Sequence, residues 1–382
     1  MIKKITASLL VALALVACSN DDKYSWDEDF ADRTATDTIT IGITYQGTTV
    51  SIEGDAYGYV SASGADVTVR SSSNRFLQLV LSGTTDSGSL LIYSMHKLGV
   101  LLNGVSITNP QGPAINNQCG KSFFVTLADN SVNTLTDGTS YGVTLGLKGD
   151  TIDQKGTLFS EGQIYFRGKG KLQVNAQAKN AIASDDYVVI EDGNITVSAA
   201  ATASNGIKVN DGFTITGGTL SIDVKAAGAR GIKNDARTTI AGGTTTINTS
   251  GDCLIETVDG VTDTTSCAGI KCDSLFLMTA GTLTITSTGD GGKGINSDDE
   301  VQFKGGTLNV QTTGANVLGK PKAIKGGKGI IVSGGSFQAS CLKSWALDNG
   351  TDSDEPADRV TVEGNPTTKI IQKRNVQIVY SE

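Results

Sequence analysis

The sequence predicts an all-β protein: a single-stranded right-handed parallel β-helix, a solenoid of about 25 residues per coil with three short strands in each. Three observations predict it. The 382 residues include 47 Gly and only 5 Pro, are rich in Thr, Ser and Asn, and show no long amphipathic helical pattern. A marker isoleucine recurs at Ile182, Ile207, Ile232, Ile270, Ile295 and Ile324. Between markers, apolar and polar residues alternate at period two, as in half-buried strands.

The markers keep phase. Ile182, Ile207 and Ile232 are 25 residues apart; Ile270 comes 38 later, a unit with a 13-residue insertion; Ile295 is again 25 on and Ile324 is 29 on. A small residue precedes each: Ala181, Gly206, Gly231, Gly269, Gly294, Ala323. A turn glycine follows eleven residues later: Gly193, Gly218, Gly243, Gly281, Gly306, Gly335. Apolar columns run between them, for example Ile190, Ile215, Ile240, Met278, Phe303 and Val332. One unit cannot bury its own apolar face, so like stacks on like, about 4.8 Å per unit. The period is too short for a propeller blade. The general crossover preference gives the right hand.

From the N-terminus, MIKK followed by ITASLLVALALVA reads as a signal peptide over residues 1–17. The apolar run is too short to span a membrane. Leu15-Val16-Ala17-Cys18 resembles a bacterial lipoprotein signal with Cys18 as the lipidated residue. Residues 18–37 read as an acidic tether. Cys18 followed closely by Asp-Asp-Lys resembles the surface-export signal of Bacteroidetes lipoproteins, which implies an outer-membrane protein facing outward. Residues 38–74 form an expected N-terminal β cap, 75–345 the coiled body and 346–382 a C-terminal β cap and tail. Degenerate coils such as LGVLLNGVSITN and TLFSEGQIYFRGKGKLQV extend the body upstream of the clear repeats.

The formal charge is −8, and −10 once Lys3 and Lys4 leave with the signal. Such a chain is a poor nucleic-acid binder and is compatible with divalent cations. Cys253 and Cys267 flank the insertion and could close it as a disulfide. A single His and no CxxC argue against zinc.

Two polar columns stand beside the markers. Directly after the isoleucine come Ala183, Lys208, Lys233, Lys271, Asn296 and Lys325; two residues further come Asp185, Asn210, Asp235, Asp273 and Asp298, with Asp211 and Asp299 adjacent. Two readings fit. In the first, the acidic row only neutralises stacked lysines and shapes turns. Alternatively Lys208, Lys233, Lys271, Lys325 and Asn296 meet a repetitive anionic polymer, with calcium adding bridges through carboxylates. The insertion adds Asp252, Glu256, Asp259 and Asp263, and TGDGGKGINSDDE adds Asp290. Neither matches a known calcium loop, and solvated acidic loops explain both equally.

The run Gly-Ile-Lys, Asp or Asn, a short β run, Gly-Gly-Thr and a second β run resembles the calcium-containing, carbohydrate-binding parallel β-helix family of cellulose-degrading clostridia and Bacteroidetes surfaces. The resemblance covers residues 40–345 and extends to LSGTTDSGSLLIY and LGVLLNGVSITNPQGPAI. It implies calcium between coils and binding of acidic polysaccharide such as polygalacturonate, or of cellulose. The chain departs from a typical sugar-stacking module, since it has two Trp, one of them in the tether; Trp345 and Tyr187 are the aromatic contacts to consider.

The expected function is therefore a non-catalytic, lipid-anchored, monomeric surface protein that binds an acidic polysaccharide. An adhesin or structural spike is the alternative. A calcium-dependent polysaccharide lyase is disfavoured, because a uniform lysine ladder gives no one lysine a depressed pKa and one His leaves no His-based triad.

Overall fold

The computed structural model describes residues 37–353, 355–372 and 378–380; the signal segment, Cys18 and the tether through residue 36 lie outside them. The described residues from Ile39 onward form one compact unit. Among the described residues there are 35 strands, numbered here in chain order.

One strand of each repeat enters a 12-stranded sheet: β3 (Val60–Ser63), β4 (Asp66–Ser71), β6 (Ser89–Ser94), β8 (Ile115–Asn117), β11 (Gly156–Ser160), β14 (Asn180–Ser184), β17 (Asn205–Val209), β20 (Arg230–Asn234), β24 (Ala268–Cys272), β26 (Lys293–Ser297), β29 (Lys322–Gly326) and β32 (Leu347–Asp348). The marker isoleucines are direct partners in it, Ile182 beside Ile207, then Ile232, Ile270, Ile295, Ile324 and finally Leu347. All are buried. A fully buried Ile or Phe side chain contributes about 1.5–3 kcal/mol. Ile207, Phe213, Ile215, Leu220 and Ile222, all from one unit, are completely inaccessible.

The remaining pairings correct the expected architecture. Most other strands belong to a 21-stranded sheet, and ten of these close on themselves through parallel pairings. The ring runs β7 (Leu98–Asn109), β9 (Phe123–Leu127), β12 (Ile164–Gly168), β15 (Tyr187–Ile190), β18 (Gly212–Ile215), β21 (Thr238–Thr249), β19 (Thr219–Val224), β16 (Asn194–Ala199), β13 (Lys171–Ala176), β10 (Val132–Asp137) and back to β7. The protein is all-β, but its pairing is that of a closed ten-strand parallel β-barrel with extra strands. It is not the single-stranded right-handed β-helix with three separate short strands per coil.

The physical reason lies at the Gly-Gly pairs, which the repeat pattern marks as corners that end a strand. In β21 they do not end it. Gly242-Gly243 falls where the register against β25 (Phe276–Ser287) shifts, between Ile240 and Thr244, so the chain bulges and the ladder resumes. β21 therefore pairs with β18 through Thr238–Ile240 and with β19 through Thr244–Thr249. β7 joins β9 and β10 in the same way. These two 12-residue strands close the ring.

Both glycine columns have a structural cause. Gly193, Gly218, Gly243, Gly281, Gly306 and Gly335 take φ between +67° and +108°, where other residues are strained. At Gly206, φ is ordinary but space is absent: a Cβ there would lie 2.6 Å from Ile222 Cγ2 and 2.7 Å from Gly231 O.

Antiparallel pairs cover the N-terminal end, β1 (Thr38–Gln46) with β2 (Thr49–Glu53) and β3 with β4. At the other end parallel pairing continues through β31 (Ser336–Cys341) to β34 (Thr367–Gln372), and β35 (Ile378–Tyr380) then pairs antiparallel.

Candidate functional site

The register of the 12-stranded sheet brings Ala183, Lys208, Lys233, Lys271, Asn296, Lys325 and Asp348 into one row. The carboxylates two residues on lie just past the strand ends, where their N–H groups still donate along the ladder: Asp235 N to Val209 O at 3.2 Å and Asp298 N to Cys272 O at 3.1 Å.

Each of three lysines is bracketed by side chains of its own and the next unit. Lys208 pairs with Asp235 and donates to Asn210 Oδ1 at 2.9 Å. Lys233 pairs with Asp235 and, at 3.3 Å, with Asp273. Lys271 pairs with Asp273 at 2.7 Å and Asp298 at 2.6 Å. Burial alone would raise the Asp235 and Asp273 carboxyls, but lysine hydrogen bonds and charges outweigh it and hold both below the usual range. The lysine row is thus a zigzag of ion pairs. Asn296 departs from the expected exposed row, since it is buried and its Oδ1 has no hydrogen-bond partner. Lys325 is half-buried and stands opposite Asp348.

The zigzag continues one unit upstream through a residue that the repeat pattern does not mark. Where Ala183 replaces lysine, Lys155 reaches in and pairs with Asp153 at 2.6 Å and Asp185 at 2.5 Å. Burial opposes its charge, yet the two carboxylates hold its ammonium above the ordinary lysine value. Carboxylate oxygens of Asp153, Glu161 and Asp185 lie within 4.8 Å of one another. Burial, then the charges of Asp185 and Asp153, push the Glu161 carboxyl up. Asp153 and Lys155 sit before the regular 25-residue phase begins, and the only signal for them was the acidic-basic cluster DTIDQKG itself; Asp185 belongs to the expected polar column.

Calcium requires six to eight oxygen ligands. The Asp153–Glu161–Asp185 group supplies oxygen donors but three side chains, and Lys155 already brings the neutralising charge. Calcium there would have to displace the Lys155 ammonium from Asp153 and Asp185 and take its further ligands from backbone or water. The other expected acids do not converge. Asp252 Oδ1 accepts from Asp290 N at 2.7 Å, and Asp290 Oδ1 accepts from Val317 N and Leu318 N. Asp299 pairs with Lys328 at 3.2 Å. Glu256 and Asp263 face each other on an exposed hairpin, β22 (Leu254–Val258) with β23 (Val261–Thr265), and Asp259 sits at its tip. Asp211 donates its N–H to Asp186 O at 3.0 Å.

Cys253 and Cys267 stand at the foot of that hairpin as buried free thiols. Burial raises both thiols, that of Cys267 to about 11.

The aromatic residues form no exposed platform at the expected places. Tyr187 is half-buried and hydrogen-bonds the Tyr165 hydroxyl. Trp345 lies half-buried with the Arg359 guanidinium 4.3 Å from its ring. An aromatic pair outside the repeat is more open: Tyr57 stacks on Tyr59 with centroids 5.5 Å apart, and Tyr57 is exposed.

Residues 63–253 and 221–316 match a family described as carbohydrate-binding domain-containing protein. A protein of that description from Acetivibrio thermocellus is 34% identical over 122 residues, 31% of this chain and only 41% of the relative's length. The structure of a polysaccharide lyase-like protein from C. thermocellum, a gadolinium derivative, matches with a TM-score of 0.55 at 24% identity, over 74% of this chain and 100% of that one. At that identity the second likeness speaks for the fold. The family match covers more than half of the chain, including the ion-pair ladder and the turns that feed the 12-stranded sheet. The chain belongs to the carbohydrate-binding domain-containing protein family.

Proposed function

We propose that this protein is a non-catalytic carbohydrate-binding protein for an acidic polysaccharide of the polygalacturonate type, carried outward from the outer membrane on a lipid at Cys18. Membership of the carbohydrate-binding family supports the coarse reading. The single observation that carries the non-catalytic part is the ladder. Lys155, Lys233 and Lys271 are each held between two carboxylates, so the row offers repeated exchangeable charge and no poised base. A uronate carboxylate could exchange with Asp235 or Asp273 at the lysines. In this reading the mature protein works as a monomer, touches the membrane only through its anchor and uses calcium, if at all, as a bridge to the ligand.

A lyase is the second reading, and one observation favours it: Glu161, with its raised carboxyl, beside Lys155 and Asp185 breaks the regular ladder. An adhesin whose sheet only extends a surface is the third.

A pull-down on insoluble pectin, cellulose and chitin, with and without chelator, tests the binding reading. Retention on pectin is expected, and loss of that retention with chelator would assign a role to calcium. Retention on none of the three leaves the adhesin reading ahead. Incubation with polygalacturonate and calcium, followed by absorbance of unsaturated product, tests catalysis; appearance of product ends the non-catalytic reading.

A further inference from the structure

Two insertions leave the body at the same turn of the repeat, the one that feeds the 12-stranded sheet. Residues 138–155 join β10 to β11, and residues 250–267 join β21 to β24. Between them this turn is short in three consecutive units: 177–179, 200–204 and 225–229. β11 and β24 are four pairings apart, through β14, β17 and β20. At the inter-strand spacing the insertions stand about 19 Å apart. They are the walls of a trough, and the three short turns are its floor.

The floor is hydrogen-bonded across units, Ala203 N to Ala227 O at 2.9 Å and Gly228 N to Asp252 O at 3.0 Å. The first wall is an ordered loop. Gly146 N donates to Asp150 O at 2.7 Å, Ile152 N to Thr144 O at 3.1 Å, and Gln154 Nε2 to Gly142 O at 2.8 Å. It nonetheless exposes Val143, Leu145 and Leu147. The second wall exposes Ile255 and Val261. At the foot of the first wall is a cleft of about 270 Å³, lined by Lys155, Lys179, Asn180, Thr202, Ala203 and Ser204. Lys179 Nζ is steadied by Gln154 O at 2.6 Å and by the Tyr141 ring at 4.9 Å, and it has no carboxylate partner among the described residues.

We infer that this trough is a glycan-binding groove, bordering the ion-pair ladder at Lys155, in which one carboxylate-bearing sugar ring sits in the cleft against Lys179. The inference rests on the carbohydrate-binding reading. The cleft lies just below the usual range of about 300–1,000 Å³ for small-molecule pockets, which suits one ring. Apolar wall tips offer contact for the C–H faces of adjoining rings. The sequence marks the second wall as the insertion before Ile270, whereas the first lies unmarked among the degenerate upstream coils.

Calorimetric titration of the full chain with an oligogalacturonate and with a cello-oligosaccharide of equal length tests it. Lys179→Glu should weaken oligogalacturonate binding about tenfold, as loss of a charge-assisted contact does. Lys179→Arg should retain it, and Leu145→Glu, at an exposed position, should weaken it too. If the unaltered protein binds oligogalacturonate and both Lys179→Glu and Leu145→Glu leave the Kd within twofold, the groove is overturned while carbohydrate binding stands. If the unaltered protein binds neither oligosaccharide, both fall.

Discussion

Gly206→Ala isolates the close approach that forces the small-residue column. The new methyl would lie 2.6 Å from Ile222 Cγ2 and 2.7 Å from the Gly231 carbonyl, against an optimum of about 3.5–4.0 Å between carbons. Overpacking of this kind costs about 1–3 kcal/mol. Alanine restricts the unfolded chain, which offsets about 0.4–1 kcal/mol, so a net loss of about 1–2 kcal/mol is expected. Ile222→Ala, at a completely buried site, should cost about 2–5 kcal/mol. In that background the overlap with the Ile222 methyl is gone and only the one with the Gly231 carbonyl remains, so Gly206→Ala should cost less than it does alone. The protein contains a natural version of this double change: Ala323 occupies the glycine column in the unit where Ala339 occupies the column of Ile222 and Val310. Urea unfolding of the four proteins, read as midpoints at unchanged slope, gives the coupling. A coupling of about 1 kcal/mol is expected, the part of the cost that Ile222 causes. Additivity within about 0.5 kcal/mol would refute the packing explanation. Gly120→Ala is the control, because nothing lies within 4 Å of its would-be methyl and its φ is ordinary.

Asp235→Asn should cost about 1 kcal/mol, since it weakens two pairs that are partly open to solvent and worth about 0.2–1 kcal/mol each. It should also strengthen retention on pectin if ladder lysines meet ligand carboxylates; unchanged retention speaks against the ladder as a contact. Asp235 and Asp273 are held below the ordinary carboxylate value of 3.8. Their stabilisation is therefore complete above that value and lost as pH falls through the lower folded values, so the gap between unaltered and Asp235→Asn unfolding midpoints should close there. A gap independent of pH would show that the ion pairs are not its source. Oxidised glutathione, a two-electron thiol oxidant, should join Cys253 to Cys267 with loss of both S–H protons and reduction of the oxidant to two thiols. Non-reducing peptide mapping should find that bond, and about 3 kcal/mol of stabilisation is expected for a loop of this size; free thiols under oxidising conditions would show that the pair cannot close.

The columns were legible because stacking makes every unit solve the same packing problem. Ile182 through Ile324 had to recur, and the structure pairs them directly. What periodicity could not reveal was continuity across a turn. Gly217-Gly218 separates two strands, while Gly242-Gly243 lies within one. Both pairs look alike in sequence, and the difference is made by whether the neighbouring ladder resumes beyond the bulge. Closure of the ten-strand ring depends on that difference. The acidic residues show the same limit. Asp235 and Asp299 look equivalent as carboxylates beside a repeat, but each is already committed to lysines that only the register brings to it.

A repeat constrains function through where it is broken. Within the regular units Lys208, Lys233 and Lys271 are each paired with a carboxylate, and the surface they make is nearly self-compensated. Unmatched chemistry collects where the pattern is interrupted. Lys155 substitutes for a missing row lysine beside Ala183, Glu161 acquires a raised carboxyl there, and Lys179 stands without a carboxylate at the foot of the first insertion. The regular units fix the spacing of the two insertions, because moving either wall by one unit would shift it by one strand spacing, about 4.8 Å. The scaffold thus sets the groove's width, and the irregular residues set its chemistry. A ligand whose affinity follows Lys179 and Leu145 reads the interruptions; one whose affinity follows Lys208, Lys233 and Lys271 reads the repeat itself.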